Sequence, residues 1–333
     1  MAGKPDAKLK LLYLKEIFEK YTDEDHILNS TALASLLNEK YGIECERKSI
    51  YKDIEILSDY GMDIIKTRTP KNGFFLASRP FEAAEVRLLT DAVQAADFIS
   101  KRKTMLLIRK IEEFVSVDQA ARLHRQVYID NRHKCSNEEI YYNIDALDTA
   151  IKTGKKVRLK YARRKLNQKF AAEEEIREFT LSPYALIWSN DHYYLVANNG
   201  KYDNLMNIRI DRIHNVEITE EPARHFSEVS EYKTSFDSAD YASKAFNMFS
   251  GKPELTELKC SIDIIEQIID RFGENAALRK AKDEHFLLRE EMSINDGLAS
   301  WIMQFGDKIE VVRPASLRDM VREKAERIAN VYR

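Results

Sequence analysis

Residues 181–213 read LSPYALIWSNDHYYLVANNGKYDNLMNIRIDRI, and no other stretch narrows the fold as far. Polar, turn-forming residues separate three apolar and aromatic runs, which predicts three short strands with their turns. Tyr193-Tyr194-Leu195 and Arg209-Ile210-Asp211-Arg212-Ile213 then fall close together. Arginine forks donate paired hydrogen bonds to phosphate oxygens, and tyrosine rings offer flat faces to bases. The plain alternative is a polar sheet face over an aromatic core. A period of two puts Tyr193 and Leu195 on one face, read as core, and His192 and Tyr194 on the other, read as contact surface. Strict alternation also sends Arg209 and Arg212 to opposite faces, so a shared ligand requires a bulge or strand end near Asp211.

With 333 residues the chain exceeds one ordinary core, and two or three domains are expected. The net charge is only -2, so nucleic-acid contact must come from local patches. Cys45, Cys135 and Cys260 lie far apart, which points to neither a zinc cluster nor a disulfide framework. No apolar run approaches the roughly 18 residues of a spanning helix, and MAGKPDAKLK lacks a signal-peptide core. A cytoplasmic protein without membrane partners is the expectation. The ten glycines form neither GxGxxG nor a P-loop, and GxSxG and HExxH are absent. No catalytic residue, metal or cofactor is therefore expected, and Glu173-Glu174-Glu175 reads as a solvated hairpin tip.

The N-terminal region reads as helix, helix, helix, hairpin. In residues 8–20, Leu11, Leu12, Leu14, Ile17 and Phe18 recur at helical spacing. Residues 31–41 bury Leu33, Leu36 and Leu37, with capping oxygens from Asn29, Ser30 and Thr31. Residues 47–60 bury Ile50, Ile54 and Leu57, and Gly61 stops that helix. Strand, turn (Pro70-Lys71-Asn72-Gly73) and strand fill residues 64–77. This order predicts a winged helix-turn-helix whose third helix meets base edges with Arg47, Lys48, Ser49, Tyr51 and Lys52. Lys66, Arg68 and Lys71 on the wing are placed for phosphates, and Asp53 is read as orienting its basic neighbours. A helical module that binds only protein is the alternative.

Arg79-Pro80 marks a boundary. Residues 81–132 lack further Gly or Pro and read as helical, suited to spacing and pairing two subunits or to capping the next domain. Residues 143–153 form a short helix ended by Gly154. The acid-free run 155–165 is either a solvated hairpin or a positive surface reaching towards Arg209 and Arg212. Strands at 179–182, 185–188, 193–198, 206–210 and 216–219 predict a curled barrel. Beyond residue 257, strand (258–262), helix (264–272), strand (285–290), helix (296–305), strand (308–312) and helix (316–331) alternate, as in ferredoxin-like sandwiches. Leu317, Met320, Val321, Ala325 and Ile328 stripe the last helix. Phe246-Asn247-Met248-Phe249 reads as a hydrophobic plug in preference to a dimer contact.

ERKSIYKDIEILSDYGMDI, SPYALIWSNDHYYLVA with RIDRI, and WIMQFGDKIEVVRPASLRDMV together resemble the bacterial WYL-domain transcriptional regulators, from about residue 8 to the end. The first block is shared with many DeoR-like regulators; the other two are more specific. Tyr193 stands where the family carries tryptophan, Glu46 where a small hydroxyl is common, and Lys52 where arginine is frequent. The resemblance implies an Sm-like barrel whose basic-aromatic face binds single-stranded nucleic acid or a nucleotide. By position it nominates Tyr161, Ser182, Tyr184, His192, Tyr194, Arg209 and Arg212.

The expectation is an α+β multidomain chain: winged helix-turn-helix (1–79), helical linker and dimerisation region (80–138), small Sm-like WYL barrel (139–222), and connector with ferredoxin-like C-terminal domain (223–333). Its expected role is that of a homodimeric, effector-responsive regulator on a double-stranded operator. A structural DNA-binding protein without effector, and a nucleic-acid-processing enzyme merely targeted by the reading head, are the alternatives.

Overall fold

The computed structural model describes residues 7–69, 71–125, 134–167 and 169–333. It divides into two compact units, Met1–Ser136 and Asn137–Arg333. Among the described residues, helices are mixed with three antiparallel sheets.

In the first unit, α1 (Ala7–Tyr21), α2 (Ser30–Tyr41) and α3 (Arg47–Asp59) precede the hairpin β1 (Ile64–Thr67) and β2 (Gly73–Leu76). Their core is the set the periodicity nominates: Leu14, Ile17, Phe18, Leu33, Leu37, Ile50, Ile54 and Leu57, closed by Phe74 and Leu76. Leu12 departs from expectation. It is 60% exposed, because the α1 stripe is narrower than its run of leucines. Asn29 is the cap of α2, accepting from the amides of Thr31 and Ala32 at 3.0 and 2.8 Å. Glu46 caps α3 without a side-chain hydrogen bond. Gly73 is required by a close approach: a Cβ there would lie 2.6 Å from the Leu28 carbonyl oxygen, which accepts from the Phe74 amide. Pro70, in the expected turn, lies outside the described residues.

The expected helical stretch resolves into α4 (Ala83–Ala95), α5 (Lys101–Glu112) and α6 (Val117–His124). Ser100 and Ser116 break it, each capping the helix that follows. Residues 126–132 of that expectation fall outside the described residues. Helix α6 is tied to the segment after α1 by several contacts, among them Arg122 to Asp25 at 3.0 Å and Gln119 to Glu24 at 3.4 Å. Buried Asp23 accepts from the Ser116 hydroxyl at the start of α6 and lies 2.7 Å from His26 Nδ1. Arg79 donates to the carbonyls of Glu19 and Thr22 at 2.7 and 2.6 Å, satisfying the end of α1.

The second unit opens with α7 (Ile140–Thr153), then β3 (Lys155–Leu166), β4 (Ala172–Ser189), β5 (His192–Asn199), β6 (Leu205–Arg209) and β7 (Ile213–Pro222). The sheet order is β6-β5-β4-β3-β7. The expected strands 179–182 and 185–188 are one strand, β4, whose register shifts between Pro183 and Ala185. A bulge absorbs the proline, so the ladder continues past it. After α8 (Ser238–Lys244) come β8 (Lys252–Ser261), α9 (Ile265–Phe272), β9 (Leu278–Lys280), β10 (His285–Ile294), α10 (Asp296–Met303), β11 (Ile309–Arg313) and α11 (Ala315–Val331). Their sheet runs β11-β8-β10-β9.

The segment 246–249 behaves as a plug. Phe246 enters the core of the second sheet beside Trp301, while Met248 enters the cluster of Tyr184, Ile187 and Val196 on the first. Phe249 remains half exposed. No helix among the described residues is long and apolar enough to cross a membrane.

Candidate functional site

Helix α3 buries one stripe and presents the other. Arg47 sits in its first turn and donates from Nε to the buried Ser30 hydroxyl at 2.8 Å. Ser30 in turn reaches Tyr51 Oη at 3.4 Å. These two hydroxyl–guanidinium neighbours hold the Tyr51 phenol below its ordinary range, Ser30 first and Arg47 second. The Tyr51 ring meets Phe74 edge to face at 5.7 Å, and Lys66 Nζ of the hairpin lies 5.8 Å from both ring centres. Hairpin and helix are therefore joined through Tyr51.

Lys48 and Lys52 are exposed and make no hydrogen bond or ion pair with any described residue; the same holds for Arg68 and Lys71 of the hairpin. Ser49 is already engaged within the module. It accepts from Lys10 Nζ of α1 and faces the helix pair. Lys10 also reaches Asp53 at 2.7 Å, with both side chains nearly buried. Asp53 thus orients a base, as expected, but that base is Lys10 and not Lys52. Ser30 and Lys10 were missed because they lie 17 and 39 residues from their partners. No local spacing signals such pairs.

In the second unit, β6 ends at Arg209, and residues Ile210–Arg212 form a single 3-10 turn before β7. This is the break that a joint role for Arg209 and Arg212 requires. Arg209 pairs directly with Tyr194 across β5 and β6. Its guanidinium donates to both Asp211 oxygens, Nε at 3.0 Å and Nη2 at 2.6 Å, and Nη1 lies 2.8 Å from His192 Nε2. Burial acts to lower the Arg209 pKa, but the Asp211 carboxylate outweighs it and the net direction is up. His192 meets Tyr194 edge to face at 6.3 Å. Burial pushes the Tyr194 phenol up, against the opposing pull of Arg209; Asp211, Tyr161 and Arg212 also act on it. Tyr161, His192, Tyr194, Arg209 and Arg212 therefore share one locality. Arg212 is half-buried and makes no hydrogen bond or ion pair with a described residue. Tyr161 contacts Phe179 edge to face at 6.3 Å, and Phe179 lines a cavity of about 330 Å³ with Asn199, Tyr202, Asn204 and Met206.

Ser182 and Tyr184 do not join this group. Ser182 is buried and accepts from the Arg224 amide at 3.0 Å; Tyr184 Oη donates to the Arg224 carbonyl at 2.8 Å. Burial pushes the Tyr184 phenol up to about 12. Both side chains pin the connector after β7. The positive reading of residues 155–165 is also corrected. The strands flanking β3 are acidic, so Lys155 and Lys156 pair with Glu220 and Glu221 at 2.6 and 2.8 Å, and Lys165 with Glu173 at 3.4 Å. Glu173, Glu174 and Glu175 lie within β4 opposite Lys165, Arg164 and Arg163, short of the hairpin tip. No group of three or more His, Cys, Asp or Glu among the described residues is arranged to hold a metal ion.

Comparison with known families completes the picture. Residues 142–218 match the WYL domain and residues 252–329 the WCX domain. The chain is a WYL-domain protein with a WCX domain following. Among solved structures it is similar to proteasome accessory factor B/C (PafBC) of Arthrobacter aurescens, at 17% identity over 97% of this chain and 50% of that one, with a TM-score of 0.29. It is also similar to a CRISPR Cas-related protein, at 15% identity over 97% of this chain and 85% of that one, with a TM-score of 0.37. The chain spans half the length of the first of these. No curated protein matches.

Proposed function

We propose that this protein is a cytoplasmic, homodimeric, sequence-specific DNA-binding transcriptional regulator with no enzymatic activity. On this reading residues 1–79 form a winged helix-turn-helix, 80–138 a helical linker that pairs subunits, 139–222 an Sm-like WYL barrel, and 223–333 a connector with a ferredoxin-like domain. The observation that carries it is the set of unengaged cations on α3 and on the hairpin joined to it through Tyr51. Lys48 and Lys52 on α3 and Arg68 and Lys71 on the hairpin have no protein partner among the described residues, and Lys66 bridges the two elements. Such cations suit the regular phosphate charge of a duplex. Changing Lys48 and Lys52 together to alanine is expected to weaken binding to a palindromic site by about 10–100-fold and to flatten the salt slope by about 1 per lysine. Anisotropy titrations at several salt concentrations measure both. Unchanged affinity and slope would remove α3 from the interface.

The effector proposal rests on Tyr161, His192, Tyr194, Arg209 and Arg212, whose chemistry fits a short single strand or a nucleotide. The clamp on Arg209 favours Arg212 as the ligand-facing cation. It also gives weight to a second reading, in which the sheet is scaffold and the protein binds DNA without an effector. Calorimetry with oligonucleotides and nucleotides separates them. Arg212→Ala is expected to weaken binding by about 10–100-fold, one charge-assisted contact being worth ~1.5–3 kcal/mol. Equal binding by wild type and an Arg209→Ala, Arg212→Ala variant places the effector elsewhere, and no binding by either leaves the DNA-only reading.

A further inference from the structure

The hairpin of β3 and β4 outruns its own sheet. Pairing of β7 to β3 ends at Tyr161, and pairing of β5 to β4 ends at Leu181, yet β3 and β4 stay paired out to Leu166 and Ala172. Beyond the sheet they form a two-stranded ribbon, which is marginal in water without cover. Alternation sorts its faces. On one, Lys165 meets Glu173 at 3.4 Å and Arg177 meets Glu175 at 2.9 Å. The other carries Arg164 and Leu166 on β3, against Glu174 and Ala172 on β4, and ends where Ala162, opposite Ile176, is already buried within the chain. Here Leu166 is 65% and Ile176 50% exposed, with Phe170 at the tip 84% exposed. Arg164 and Glu174 make no hydrogen bond or ion pair with any described residue. Near the tip, Asn167 Oδ1 accepts from the amides of Lys169 and Ala171 at 2.9 and 3.1 Å.

Charge decides what can cover this face. Edge-to-edge pairing of two β4 arms sets Glu173, Glu174 and Glu175 against their own kind; two β3 arms do the same with Arg163, Arg164 and Lys165. Both are disfavoured. Face-to-face stacking about a two-fold axis along the ribbon lays β3 of one copy over β4 of the other. Leu166 then covers Ala172 of the second copy, Arg164 faces Glu174, and the two Phe170 rings adjoin. We propose that this ribbon face is a docking surface for the same ribbon of a second copy of the chain. The proposal deepens the homodimer reading and rests on it.

The test is sedimentation equilibrium of the full chain at micromolar concentration. Wild type is expected to be a dimer. Arg164→Glu and Glu174→Arg are each expected to weaken dimerisation about tenfold, since the two-fold axis doubles each repulsive contact. An equimolar mixture of the two variants is expected to regain wild-type affinity. In the mixed dimer the carboxylate introduced at 164 lies over the guanidinium introduced at 174, while the repulsion within each ribbon is unrelieved. Leu166→Asp with Phe170→Asp is expected to dissociate the dimer with an unchanged near-ultraviolet dichroism spectrum. Single variants that dimerise like wild type, or a mixture no tighter than its components, overturn the ribbon interface and leave the homodimer reading standing. A monomeric wild type overturns both.

Discussion

Replacing Lys244 by methionine is expected to destabilise the second unit by about 2–3 kcal/mol at neutral pH, and to make that loss shrink as the pH falls. Lys244 ends α8, and its ammonium lies 2.9 Å from Glu231, 2.8 Å from Asp240 and 2.8 Å from Glu291. These carboxylates come from the connector, from α8 and from β10, so one cation joins three elements. The lysine side chain is only 13% exposed, whereas its partners keep 38, 39 and 47%. Removing one member of a fully buried pair costs ~3–5 kcal/mol; the solvent reaching these carboxylates screens part of that. Burial pulls the Lys244 pKa down, but Asp240, Glu231 and Glu291 outweigh it and the net direction is up. Its contribution is therefore complete below the ordinary lysine range and lost as pH rises through the folded value. Burial likewise opposes ionisation of Asp240, but the Lys244 hydrogen bond prevails and its pKa is lowered. That contribution holds above the ordinary aspartate range and is lost as pH falls through the folded value. In the methionine variant three carboxylates face one another without a cation. Asp240 loses the cation that lowers its pKa, and its protonation as the pH falls relieves the repulsion. Urea titrations of wild type and variant between about pH 4 and 8 read the difference. A deficit that stays constant across that range would remove the charge cluster as its cause.

The order of elements was legible where burial leaves a period. Leu14, Ile17 and Phe18, then Leu33 and Leu37, then Ile50, Ile54 and Leu57 repeat at helical spacing and form one core. The plug at 246–249 was legible from its bulk alone. The short β9 was not, because Leu278-Arg279-Lys280 is too brief to alternate. Register was the larger blind spot. The run 155–165 looks uniformly positive in isolation, and only its pairing with the acidic flanking strands sets Lys155, Lys156, Lys160 and Lys165 against carboxylates. For the candidate site, the placement of His192 with Tyr194 followed from a period of two, and the need for a strand break near Asp211 was visible in advance. The engagement of Ser182 and Tyr184 by Arg224 was not, since 42 and 40 residues separate these partners. The bond from Lys10 to Ser49 was hidden for the same reason: helical phase leaves Ser49 beside Lys48 and Lys52, and only the docking of α1 brings Lys10 to it.

Phe246→Ala is expected to cost about 3–5 kcal/mol and to split unfolding of the second unit into two steps. The magnitude follows from truncating a large aromatic side chain that is 2% exposed, where lost transfer energy and the residual cavity add. The splitting follows from where the ring sits. Its centre lies 5.2 Å from Trp301 and 6.2 Å from Phe272, inside the core shared by β8, β10 and α10. Two residues later Met248 is buried in the cluster on β4 and β5, and Asn207 of β6 donates to its carbonyl at 2.9 Å. One short segment thus anchors in both cores. Arg271 reinforces the first anchor: its guanidinium lies 4.4 Å from the Phe246 ring centre and donates to the Ala245 carbonyl at 2.9 Å. Burial lowers the Arg271 pKa, so the ring face and the carbonyls are what compensate its charge. Removing the ring loosens Arg271 together with the cavity, and the second sheet then melts while the first stays paired. Phe246→Leu, which keeps apolar volume but not the ring face, is expected to cost less than half as much and to retain a single transition. With Trp188 of β4 replaced by phenylalanine throughout, tryptophan fluorescence reports the second core through Trp301, and far-ultraviolet dichroism reports the whole chain. Coincident denaturation curves for Phe246→Ala by the two probes would show that the two cores are coupled by contacts other than this segment.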